Sequence, residues 1–152
     1  MANIKEIVEG IMTRVPEVVG VILIDIDGIP IEMAGRFDMK PEDLGALLAA
    51  CYNSYSQVGT ELGQTLDNII VEYGDLKLCQ NRMPRGLLTI IAGKNAYIGM
   101  IRLEAKRAID NLTKIMRDTM DLRGEMVKEM KFRLPDSRSI ADILARFEKD
   151  NL

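Results

Sequence analysis

Residues 18–34 read Val-Val-Gly-Val-Ile-Leu-Ile-Asp-Ile-Asp-Gly-Ile-Pro-Ile-Glu-Met-Ala. An apolar, β-branched run over 18–26 meets Asp27-Gly28, and a second run follows at once over 29–34. Asp-Gly between two such runs predicts a tight two-residue hairpin, because the turn needs positive φ and glycine supplies it. The first run is apolar on both faces as far as Ile24, so it must be covered from above and below. The stretch therefore predicts a central strand of a layered α/β domain, not the wall of a β-sandwich.

The regions on either side fit that layering. Ile4, Ile7, Val8, Ile11 and Val15 fall on one helical face that Pro16 ends. Pro41 opens a long second helix, running to about Gly63, with Glu42 and Asp43 placed for the positive end of its dipole. Residues 67–73 alternate, Gly74-Asp75 turns, and 76–82 returns as a second hairpin. Pro84 to Gly86 makes a turn into a strand over 87–92, and a third helix runs from Ala96 to at least Met120. The expected order is α-β-β-α-β-β-β-α, with hairpins dominating and the sheet mostly antiparallel.

The chain has 152 residues, which suggests one domain with an appendage. We divide it at residue 120, with a C-terminal helical extension over 121–152. There Ser139-Ile-Ala-Asp142 resembles a capping box, and Ile140, Ile143, Leu144 and Phe147 form an apolar stripe expected to dock on the protein's own dimer or on a partner.

Composition excludes several chemistries. There is no histidine, so His triads, His metal sites and His pH switches are out. The two cysteines, Cys51 and Cys79, form no CxxC and read as free core thiols of a cytoplasmic protein. Net charge is −3, and the basic residues after position 100 are matched by acids, so no nucleic-acid arm is expected. No apolar run approaches the ~20 residues of a membrane span, and residues 1–15 do not read as a signal peptide. There is no phosphate loop and no G-x-G-x-x-G, so no nucleotide or other cofactor is expected. Asp25-Ile-Asp27-Gly28 invites a calcium reading, but Arg36 stands where an EF-hand loop needs its last acid. No catalytic residues and no metal site are assigned.

The element order and the 18–34 hairpin, together with Tyr97-Ile-Gly-Met-Ile-Arg-Leu-Glu-Ala-Lys-Arg107, resemble the roadblock/dynein light-chain family over residues 4–118. The prokaryotic single-domain members of MglB type are the most similar in architecture. The resemblance implies a five-stranded sheet with one helix on one face and two on the other. It also implies a homodimer or heterodimer that is not an enzyme and that regulates or scaffolds a Ras-like small GTPase. Residues 121–152 fall outside the resemblance. The alternative classes are a small-molecule sensor, which would show a pocket with convergent polar groups, or another protein-interaction module. A hydrolase lacks any nucleophile–base pair.

The second helix carries the interface expectation. Leu44, Leu47, Leu48, Cys51, Tyr55, Val58 and Leu62 form one apolar stripe, read as packing on the sheet. Gly45, Ala49, Asn53, Ser56, Thr60 and Gly63 form a small-residue ridge, with Gly59 beside it. Glycine inside a helix costs ~1 kcal/mol relative to alanine, and close approach of another backbone is a reason to keep it. We expect two copies to meet through this ridge and through Ile69, Val71 and Tyr73 of the next strand. Between residues 41 and 76 the charged residues are all acidic.

Overall fold

The computed structural model describes residues 3–133. The elements are α1 (Ile4–Arg14), β1 (Val18–Asp25), β2 (Pro30–Gly35), α2 (Pro41–Glu61), β3 (Asn68–Glu72), β4 (Leu76–Met83), β5 (Gly86–Gly93) and α3 (Ile98–Arg133). The five strands form one sheet in the order β2-β1-β5-β4-β3, and every neighbouring pair is antiparallel.

The chemistry of the chain explains the elements. The Asn3 side chain caps α1 by accepting from the Glu6 amide at 2.8 Å. Ile7, Val8 and Ile11 form the buried face of α1, which lies on β1 and β2. β1 is buried on both faces from Gly20 to Ile24, as its unbroken apolar run requires. On one face, Ile22, Ile24 and Leu87 pack with Leu48, Ala49 and Tyr52 of α2. Val21 and Leu23 alternate to the opposite face, which α1 and α3 cover. Arg14 of α1 donates to the buried Glu104 of α3 at 2.7 Å and ties the two helices together.

The hairpin differs from its sequence reading in one respect. The loop between β1 and β2 holds four residues, 26–29, not two. The Asp25 carboxylate accepts from the amides of Asp27 and Ile29, each at 2.9 Å, and so reinforces the backbone bonds from the Asp25 amide to the Ile29 carbonyl and from the Gly28 amide to the Asp25 carbonyl, each at 3.0 Å. Gly28 does take the positive φ, at 84°.

Two compact units divide the chain at Ile115 and Met116. In the second, residues 116–133 are helical and run unbroken through Arg123-Gly124. Ile140, Ile143, Leu144 and Phe147 lie outside the described residues.

Candidate protein-interaction surface

The orientation of α2 reverses its sequence reading. Its buried residues are Gly45, Leu48, Ala49 and Tyr52. Leu47, Tyr55, Val58 and Leu62 are 55%, 59%, 54% and 71% exposed, and Cys51 between them is exposed too. Of the expected core stripe only Leu48 is buried, with Leu44 half-buried.

The small residues explain this orientation. A Cβ on Gly45 would collide with the Gly28 carbonyl oxygen in the β1–β2 loop. The close backbone approach expected of the ridge is real, but the second backbone is the protein's own hairpin. Gly59 has a similar reason, since a Cβ there would lie 3.0 Å from the Gln64 carbonyl oxygen. Gly63 has φ 69° just past the helix end, with its amide bonded back to the Thr60 carbonyl. Small residues thus let α2 sink onto the hairpin, and its larger apolar side chains turn outward.

The structure separates the expected interface residues. Gly45 and Ala49 are buried within the fold. Asn53 and Ser56 line a cavity at one end of the sheet, while Thr60 and Gly63 are exposed. Ile69 and Val71 are half-buried on β3, and Tyr73 beyond it is exposed. Leu47, Cys51, Tyr55, Val58 and Leu62 were legible as a stripe but were assigned to the wrong side. The signal that could have corrected them is the row of small residues opposite an Asp-Gly turn.

The stripe and β3 belong to one side of the molecule. Around α2, the Ala46–Ala49 flank faces the β1–β2 loop. The Leu48 flank faces β4, whose buried Gln80 donates to the Leu48 carbonyl at 3.0 Å. The stripe lies beyond Leu48 on that same flank, toward the β4–β3 end of the sheet. Among the described residues β3 is the terminal strand and pairs with β4 alone, so its outer backbone groups have no described strand beside them. It carries no Lys or Pro to discourage pairing. The opposite edge strand, β2, begins with Pro30.

Charge adds a boundary to this surface. Between residues 41 and 76 there are acids and no bases. Arg82 reaches Asp67 at 3.3 Å and Lys94 reaches Asp75 at 3.9 Å, both at exposed positions where such pairs contribute little. Among the described residues no group of three His, Cys, Asp or Glu side chains could hold a metal ion, and no helix is long and apolar enough to cross a membrane.

Comparison with known proteins places this geometry. The family model described as "Mitogen-activated protein kinase kinase 1 interacting" matches residues 2–120. No curated protein matches the chain significantly in sequence. Among solved structures, MglB of Myxococcus xanthus is 24% identical, covers 76% of this chain and 95% of its own, and superposes with a TM-score of 0.71. The Roadblock/LC7 domain from Streptomyces avermitilis is 18% identical, covers 76% of this chain and 99% of its own, also at 0.71. An MglB with a tetrameric arrangement is 18% identical, covers 74% of this chain and 87% of its own, at 0.69. The fold is that of the roadblock proteins, as the sequence resemblance implied.

Proposed function

This chain belongs to the mitogen-activated protein kinase kinase 1 interacting family, and on that premise we propose that it is a non-enzymatic, dimeric regulator or scaffold for a Ras-like small GTPase. The observation that carries this reading is the exposed stripe Leu47, Cys51, Tyr55, Val58 and Leu62 beside the open edge of β3. Covering a large apolar side chain is worth about 1.5–3 kcal/mol before ordering costs. A stripe of four such residues is a reason to self-associate. A protein partner also fits the family's description, which is of an interacting protein, and one of the similar structures is described as tetrameric.

In this reading two copies meet through α2 and β3. The contact uses the large apolar residues of α2 rather than Gly45 and Ala49, together with Ile69, Val71 and Tyr73. Residues 1–120 act as the regulatory domain and 121–152 as an extension that docks on the dimer, through Ile140, Ile143, Leu144 and Phe147. The protein works in the cytoplasm. The surface between residues 41 and 76 offers no arginine finger, so any effect on hydrolysis comes from orienting the GTPase's own groups.

Two measurements test this. Light scattering at tens of micromolar should give a dimer, and Tyr55→Arg should give a monomer with an unchanged circular dichroism spectrum. The purified dimer should then bind a Ras-like GTPase from the same cell in a calorimetric titration, with a different affinity for its GDP and GTP-analogue forms. A native monomer refutes the self-contact. A dimer that binds none of the cell's Ras-like GTPases in either nucleotide state refutes the regulatory role.

A further inference from the structure

A cavity of about 240 Å³ opens at the end of the sheet, where α2, the β1–β2 loop and the end of β4 converge. Its apolar lining comes from the exposed Ile26 and from Met83, Leu87 and the ring of Tyr52, which are buried. The Tyr52 hydroxyl takes no part in the lining chemistry, because it donates to the Leu66 carbonyl at 3.0 Å. Asn53, Ser56, Thr65 and Arg82 supply its polar lining. No side-chain hydrogen bond occupies Asn53, Ser56 or Thr65 among the described residues. Arg82 spends one nitrogen on Asp67 at 3.3 Å, and its other donors have no protein acceptor.

The chemistry of this lining is one-sided. Arg82 is the single charged residue among the side chains that line the cavity. Hydroxyl, amide and guanidinium donors share the lining with apolar side chains, and an anion with an apolar stem satisfies both. The volume lies below the ~300 Å³ at which drug-sized ligands begin, so the stem is short. The cavity lies off the α2 stripe: Asn53 and Ser56 are on the flank opposite Leu47 and Val58, so the site does not depend on the proposed dimer.

We propose that this cavity binds a small carboxylate carried on a short apolar stem, with Arg82 pairing the carboxylate and Ile26, Tyr52, Met83 and Leu87 receiving the stem. The same chemistry is offered by a free short-chain acid and by a peptide's apolar C-terminal residue; 4-methylpentanoate and a terminal leucine serve as probes of the two.

The full chain, labelled with ¹⁵N, is titrated with 4-methylpentanoate and with 4-methylpentan-1-ol, which has the same stem without the charge. We expect saturable amide shifts at Asn53, Ser56, Thr65 and Arg82 with the acid and about tenfold weaker binding of the alcohol. Arg82→Gln should weaken the acid about tenfold and leave the alcohol unchanged. Asp67→Asn removes the competing carboxylate and should tighten the acid roughly two- to threefold; it provides a second reading if Arg82→Gln disturbs the fold. A short peptide ending in a free leucine carboxylate is compared with its amide. Tighter binding of the free peptide than of 4-methylpentanoate assigns the site to a protein terminus, and equal or weaker binding assigns it to a free acid. Equal binding of acid and alcohol, or no saturable shift at these four residues, overturns the proposal.

Discussion

Gly45 and Gly28 meet backbone to backbone where α2 crosses the β1–β2 loop. A Cβ at Gly28 would lie 3.0 Å from the Gly45 carbonyl oxygen and 3.1 Å from the Ala49 methyl, and a Cβ at Gly45 would strike the Gly28 carbonyl directly. The contact fixes the rotation of α2 about its axis, and with it the choice of which apolar side chains are buried.

Gly45→Ala should therefore destabilise the fold by about 1–3 kcal/mol, although alanine is the better helix former. The obstacle is backbone rather than a yielding side chain. Urea unfolding checks this: the midpoint should fall at an unchanged slope. A midpoint equal to or above that of the native protein would contradict the packing.

The two flanks of α2 should respond oppositely to substitution. Leu48→Ala removes a buried side chain and should cost about 2–5 kcal/mol. Val58→Glu changes an exposed one and should leave the protomer within ~0.5 kcal/mol. If α2 forms the self-contact, the native melting temperature rises with protein concentration, and that of Val58→Glu does not.

Arg85 holds φ at 63° in the turn between β4 and β5. That left-handed conformation costs a non-glycine residue roughly 1–2 kcal/mol. The neighbouring Gly86 answers a different need, because a Cβ there would strike the Ile24 carbonyl. Arg85→Gly should stabilise the protein by up to about 1 kcal/mol after glycine's greater unfolded freedom is subtracted. Thermal unfolding at neutral pH measures the gain.

Burial pushes the Cys79 thiol above its ordinary 9.0, against the smaller lowering effects of the Asn81 hydrogen bond and Arg102. Burial likewise pushes the Tyr52 phenol above 10.0, with Arg82 opposing and Asp67 reinforcing. Both groups hold their protons more tightly when folded than when unfolded. Their contribution is fully present below about pH 9 and is lost as pH rises through the folded values. Stability should decline from about pH 9 upward, and Cys79→Ala should flatten the first part of that decline. At pH 8 a thiol reagent should modify the exposed Cys51 quickly and leave Cys79 until the protein opens.

The strands were legible because their signals are local. A β-branched run buried on both faces, or a Gly-Asp turn between alternating residues, depends on few neighbours. The loop over 26–29 was less so, since the Asp25 carboxylate adds bonds to the Asp27 and Ile29 amides and no pattern of hydrophobicity records that. The rotation of α2 was not legible from its apolar stripe. Periodicity shows that a face seeks cover, but Leu47, Tyr55 and Val58 satisfy it equally against a sheet or against a second molecule. The decisive information sat in Gly28 and Gly45, far apart in sequence and adjacent in space. The cavity at Arg82 was invisible for the same reason, because Ser56, Thr65 and Arg82 come from three segments.

The strand order also sets a schedule for folding. β1 pairs with β2 at once, and β3, β4 and β5 form a local meander, but Val21 must wait for Ile90 before the two halves join. That late closure carries most of the chain-entropy cost. As the chain leaves the ribosome, the hairpin of β1 and β2 must remain soluble with one flank of β1 unpaired until β5 has emerged. A block at β5 would strand two preformed halves, each with an open edge, and those halves could join with the halves of other chains.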